Sequence, residues 1–162
     1  MSARTFAPWV APIAAQLREG RTQVLGFARS VPAEAWARPS PLEGWTCKDI
    51  LAHLAGGNDG MVQKILRSVV AREPVDRSVL ATDTDAENAR GVEERRGWSV
   101  EELIAELEAD GQESQELLSR LTEADEDLRQ DDLPLGLGEF LALVHAEDHD
   151  GLHLAQLRTA LR

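Results

Sequence analysis

Apolar residues recur at three- and four-residue steps in four stretches of the chain, and no stretch carries a convincing two-residue alternation. The first stretch runs from about Trp9 to Val31, where Val10, Ile13, Ala14, Leu17, Val24 and Ala28 make one stripe that Pro32 ends. The second runs from Thr46 to about Ala71. Thr46 with Asp49 forms a capping-box start, and Ile50, Leu51, Leu54, Met61, Val62, Ile65, Leu66 and Val69 make a broad apolar face. The third begins at Ser99, again with an acid three residues on at Glu102, and carries Val100, Leu103, Ile104, Leu107, Leu118 and Leu121. Gly111 lies in its middle and predicts a close helix contact or a bend. The fourth is one helix from near Gly138 almost to Arg162, with Phe140, Leu141, Val144, Leu152, Ala155 and Leu157.

Four amphipathic helices without strands predict an all-α fold, a four-helix bundle, formed as one domain over residues 1–162. The long connection from Arg72 to Trp98, with a short extra helix expected over Glu87 to Arg96, lets the third helix run beside the second in the same direction. An acidic connection (Glu123, Asp125, Glu126, Asp127, Asp131, Asp132) precedes the fourth helix and reads as a solvated loop.

Charge narrows the function. The chain of 162 residues has 17 Lys+Arg against 29 Asp+Glu, a formal net charge of −12. Nucleic acid and anionic membrane surfaces attract basic groups, so no nucleic acid and no membrane is expected as a partner. No run reaches the ~18 apolar residues of a membrane span. Phe6 to Ala15 faintly imitates a signal peptide, but helical spacing continues past it, so a cytoplasmic protein is expected. The single cysteine, Cys47, forms neither an internal disulfide nor a Cys-rich zinc site.

Of the four histidines, His53 lies in the second helix and His145, His149 and His153 lie in the fourth. At about 100° per residue, a four-residue step returns to nearly the same face. Leu141, His145, His149, His153 and Leu157 therefore make one row at or beside the core. Imidazoles one turn apart on a helix are close enough to share an ion. His53 sits at the edge of its apolar face, with Gly57 and Gly60 leaving room for a hollow beside it. A lone histidine on an apolar face is usually a hydrogen-bonded core residue. Several in one row each need a partner, which a metal supplies at once. Arg21 falls on the apolar row of the first helix, where it either snorkels or faces the pocket toward an anionic substrate group. Asn58 and Asp59 are placed either at the cleft mouth or on the helix surface.

The stretch Gly44-Trp45-Thr46-Cys47-Lys48-Asp49-Ile50-Leu51-Ala52-His53-Leu54-Ala55 resembles the second-helix signature of the DinB-like proteins, a superfamily that includes the metal-binding domain of mycothiol-dependent maleylpyruvate isomerases. The stretch from His149 to Leu157 resembles its fourth-helix signature, and Asp85, Asn88 and Arg95-Arg96 are similar to the segment before the third helix in the mycothiol branch. The resemblance implies a DinB-like metalloprotein bundle, often a homodimer, with a divalent ion held by His53, His149 and His153. Imidazole ligands suit zinc or nickel. The mycothiol isomerases have a glutamate at the position of His149, so three histidines look more like the broader DinB group. His145 is the rival ligand by its spacing from His149, but the stretch around Gln156 and Leu157 fits His149 and His153 better, so His145 lines the cleft, hydrogen-bonds within the core or supports the ligands from behind. The isomerases also carry a further C-terminal domain, so the implied activity is a metal-dependent transferase or isomerase-like reaction with a low-molecular-weight thiol and an electrophile, rather than the isomerisation itself. The alternative is a non-catalytic, metal-stabilised dimeric binding or stress-response protein.

Overall fold

The computed structural model describes residues 4–80, 83–129 and 135–162, and of residues 58, 59, 77 and 80 the backbone alone. The regular elements among the described residues are helices, with a single isolated bridge between Pro39 and Thr46 as their only β-pairing. The α-helices are α1 (Ala11–Ser30), α2 (Cys47–Ala55), α3 (Met61–Ala71), α4 (Arg77–Leu80), α5 (Thr84–Arg95), α6 (Val100–Ser119), α7 (Leu137–Val144) and α8 (His149–Ala160).

Local chemistry sets the ends of these helices. Pro12 stands in the first turn of α1, where its missing N–H costs nothing, and Pro32 stands just beyond its C-cap, Val31. Both expected capping boxes form. The Asp49 amide donates to Thr46 Oγ1 (3.2 Å), and the Thr46 amide donates to Asp49 Oδ2 (2.8 Å). Ser99 and Glu102 exchange the same pair of bonds at 3.1 and 2.7 Å. The short helix expected over Glu87 to Arg96 is α5, which starts earlier because Asp83 accepts from the amides of Asp85 and Ala86.

Two long helices of the sequence reading are broken in the structure. The second divides into α2 and α3 around a 3₁₀ turn, Gly56–Asp59, and α3 restarts after Gly60. The glycines there do not hold a helix against the competing turn. The fourth divides at His145–Asp148, because Asp148 caps a new helix by accepting from the Gly151 amide (3.0 Å). His145 therefore sits at the end of α7, outside any common row with His149 and His153.

The four rods are thus α1, α2–α3, α6 and α7–α8, and they enclose two apolar clusters. One joins Val10, Ile13 and Ala14 of α1 to Ile65 and Leu66 of α3, Leu117 and Leu118 of α6, and Leu137 and Leu141 of α7. The other joins Val24 and Leu25 of α1 to Ile50, Leu51 and Leu54 of α2, Leu103 and Leu107 of α6, and Leu154 and Leu157 of α8. Following each rod from one cluster to the other gives its direction. The rod α2–α3 and helix α6 run the same way, and α1 and α7–α8 run against them, as the long connection before α6 permits.

Between the clusters every rod carries a polar or glycine residue at the same level: Arg21, Gly57, Asp110 and Asp150. Arg21 Nε donates to Asp150 Oδ2 (2.9 Å), and Arg21 Nη1 donates to Asp110 Oδ2 (2.8 Å) and to the Leu107 carbonyl (3.0 Å). Glycines make space for this layer. A Cβ on Gly57 would lie 2.9 Å from Asp110 Oδ2, and one on Gly111 would lie 2.9 Å from Arg21 Cγ. Gly111 is thus the close helix contact that its position in the third stretch predicts. The candidate site lies beside this layer.

Candidate functional site

Three imidazoles meet where the end of α2 touches the start of α8. His53 lies in the last turn of α2, His149 is the first residue of α8, and His153 follows one turn later. One potential ligand atom from each lies within 4.8 Å of the others. His53 Nε2 and His149 Nε2 are 3.1 Å apart. The His53 ring centroid is 5.1 Å from that of His149 and 4.9 Å from that of His153, and the last two are 4.6 Å apart. Trp45 stands 5.6 Å from His53 and walls one side.

Exposure grades across the cluster: His153 is buried, His53 half-buried, and the His149 side chain is 56% exposed. Burial, reinforced by the neighbouring rings of His149 and His153, lowers the His53 pKa to about 4. Burial and His149 lower that of His153 as well, against the pull of Gln156. The interior rings are therefore neutral at physiological pH, the state in which imidazole binds metals. Gln156 Oε1 accepts from His153 Nδ1 at 2.8 Å, which puts the proton on Nδ1 and leaves Nε2 with its lone pair free.

These donors suit one divalent cation. Two imidazole nitrogens on a tetrahedral ion with bonds of about 2.0–2.1 Å lie ~3.3 Å apart. The observed 3.1 Å between His53 and His149 is close to that separation. Three imidazole ligands would leave a bound ion a further position for water, thiolate or substrate.

A cleft of about 410 Å³ opens beside the cluster. His149, His145, Gln63, Ser114, Asp110 and Asp148 are among its lining residues. His145 contributes its ring to the cleft wall, and its carbonyl accepts from Gln16 Nε2 (3.1 Å). Burial lowers the His145 pKa too. Arg21 reaches the cleft, but its guanidinium is committed to internal carboxylates rather than extended toward a ligand. Burial pushes the Asp110 carboxyl up despite Arg21. For Asp150, burial also acts upward, but His149 and Arg21 outweigh it and hold the carboxyl below its ordinary value. Asp150 Oδ1 is 3.9 Å from His149 Nδ1, too far for a direct hydrogen bond but close enough to favour positive charge at the site.

The side chains of Asn58 and Asp59, together with Asp131 and Asp132 of the acidic connection, lie outside the described residues. Cys47 is buried at the start of α2 in the apolar cluster, apart from the cleft lining, which fits a small core residue. Two further contributors, Gln63 and Asp110, carry no motif, and Gln156 lies within the His149–Leu157 stretch without a role assigned from sequence. Asp110 has a weak signal, since it falls three residues after Leu107 on the apolar stripe of α6.

Residues 17–149 match the mycothiol maleylpyruvate isomerase N-terminal domain, and the chain belongs to that family within the DinB-like superfamily. The match takes in His53 and His149 and ends before His153. No curated protein and no solved structure matches the chain.

Proposed function

We propose that this member of the family binds one divalent cation, zinc or nickel, through His53, His149 and His153, and uses it in a transferase or isomerase-like reaction between a low-molecular-weight thiol and an electrophile. The observation that carries the reading is the convergence of three imidazole nitrogens from α2 and α8 beside a cleft. A bound divalent ion would supply an open position that stabilises a thiolate near neutral pH.

The chain's own residues do the rest. Gln156 fixes the tautomer of His153, Trp45 shields His53 from one side, and the Arg21 layer holds the start of α8 against α1 and α6. The partly apolar cleft, with Leu66, Val62 and Leu118 in its wall, excludes water from the bound electrophile. We place this activity in the cytoplasm, where low-molecular-weight thiols are kept reduced. Among the described residues no helix is long and apolar enough to cross a membrane.

A second reading rests on Leu143 and Leu152, exposed at 64% and 53% on the last rod. They offer apolar surface for a second copy, and on this reading the protein is a metal-stabilised homodimer without turnover instead of an enzyme. Elemental analysis of the purified protein, followed by a panel of thiols and electrophiles, separates the two. One ion per chain with thiol turnover that His149→Ala abolishes supports the enzyme. A bound ion, a dimer by sedimentation and no turnover support the second reading. Purified protein that takes up neither zinc nor nickel overturns both.

A further inference from the structure

We infer that the cleft beside the three histidines takes a ligand whose far end is a protonated amine. This deepens the proposed function, on which it rests for the position of the ligand's other end.

Two independent observations point the same way. The first is charge. Four carboxylates, those of Asp110, Glu147, Asp148 and Asp150, are among the described lining residues, against the single guanidinium of Arg21. Arg21 is turned inward on Asp110, Asp150 and the Leu107 carbonyl. Glu147 and Asp148 stand exposed at the rim, where they attract cations and repel anions. Lys64 and Arg90 line a smaller neighbouring pocket of about 100 Å³.

The second is an orphaned acceptor. Gln63 is 8% exposed and lines the cleft, and its Oε1 is buried without a hydrogen-bond partner. The amide cannot be turned round to cure this. Its N–H group serves Ser114 Oγ and the Asp110 carboxylate, and an oxygen in that place would face the carboxylate. A buried acceptor left bare costs about 1–3 kcal/mol, which a ligand's N–H would relieve once a small rotation of the amide brings the oxygen to the cleft surface. An ammonium has three donors and no acceptor, so it satisfies both Gln63 and the acidic wall. A carboxylate would satisfy neither.

Cobalt-substituted protein tests this, because thiolate binding to cobalt gives a charge-transfer absorption. Cysteamine and aminohexanethiol are titrated against mercaptopropionate and mercaptohexanoate at low salt. The amine-tailed thiols are expected to bind at least ~10-fold more tightly. Gln63→Leu, and the pair Glu147→Gln with Asp148→Asn, should each weaken the amine-tailed thiols while leaving the carboxylate-tailed ones unchanged or tighter. Asparagine at 148 keeps the helix cap. Equal affinity for both tails on cobalt-loaded protein, or a preference that survives these substitutions, overturns the inference and leaves the metal reading standing. Hexylamine and hexanoate titrated into the metal-free protein by NMR read the cleft alone. Shifts of cleft resonances by hexylamine only support the inference even where cobalt does not bind, and shifts by hexanoate only overturn it.

Discussion

Arg21 of α1 donates from Nε to Asp150, the residue next to His149, at 2.9 Å, across 129 positions of chain. This ion pair fixes the first turn of α8, and with it the imidazole at the most exposed corner of the candidate site. Through Asp110 the same guanidinium ties α6 into the layer.

Removing that guanidinium should be costly. Arg21→Met leaves two buried carboxylates without their shared partner, and the expected loss is about 3–5 kcal/mol in urea unfolding. Adding Asp110→Asn and Asp150→Asn to the same chain should recover much of it. If Arg21→Met alone leaves the midpoint unchanged, the layer does not contribute as described.

The glycines of the layer should respond differently from glycine elsewhere. A Cβ at Gly111 meets Arg21 Cγ at 2.9 Å, whereas one at Gly26, exposed on the same α1 that carries Arg21, meets nothing within 4 Å. Gly111→Ala should destabilise by roughly 1–3 kcal/mol. Gly26→Ala should stabilise by about 0.5–1 kcal/mol through helix propensity. Thermal melts of the two variants decide it, and equal shifts would argue against the close approach of α1 and α6.

Gln156 is expected to act on the ion without touching it. Gln156→Leu frees the His153 ring and its tautomer, so zinc affinity should fall about 10–100-fold in a chelator competition. The melting temperature of the metal-free protein should move little, since Gln156 is only partly buried. An unchanged affinity would remove Gln156 from the site.

Acid should destabilise the metal-free protein within a defined window. His53 has a pKa of about 4 in the folded state against an ordinary 6.5. Between these values the unfolded chain carries a proton that the folded chain does not, so stability is full above 6.5 and declines as pH falls toward 4. His145 and His153 act in the same direction. The melting temperature of metal-free protein should drop by several degrees across that window, and His53→Gln should flatten the dependence. With an ion bound the decline should steepen, because protons then compete with the metal.

Much of the architecture was legible in the chain. The four apolar stripes, the Thr46 and Ser99 caps and the break at Pro32 are local features, decided within a few residues by periodicity and hydrogen-bonding side chains. The pairing of a His53 segment with a His149–His153 segment was legible too, through the resemblance those stretches carry. The two interior breaks were harder to see. At Gly56–Asp59 and at His145–Asp148, the apolar spacing continues across the interruption, so the pattern alone reads as one helix. Asp148 followed by Gly151 was the available signal for the second.

Tertiary structure decided what the spacing left open, that His145 stands apart from the other three histidines. The sequence places His145 one helical turn before His149, yet the cap at Asp148 takes it out of the row, while His53 arrives from 96 residues away to within 3.1 Å. It also decided the fate of Arg21, whose place on an apolar stripe admitted both snorkelling and, less readily, ligand binding. Its partners Asp110 and Asp150 lie on other rods, and a charge on a helix face is explained only by what the opposing faces bring to it. Periodicity records how far a residue is turned from its neighbours in the chain; it holds no information on which faces stand opposite at the same height of the bundle.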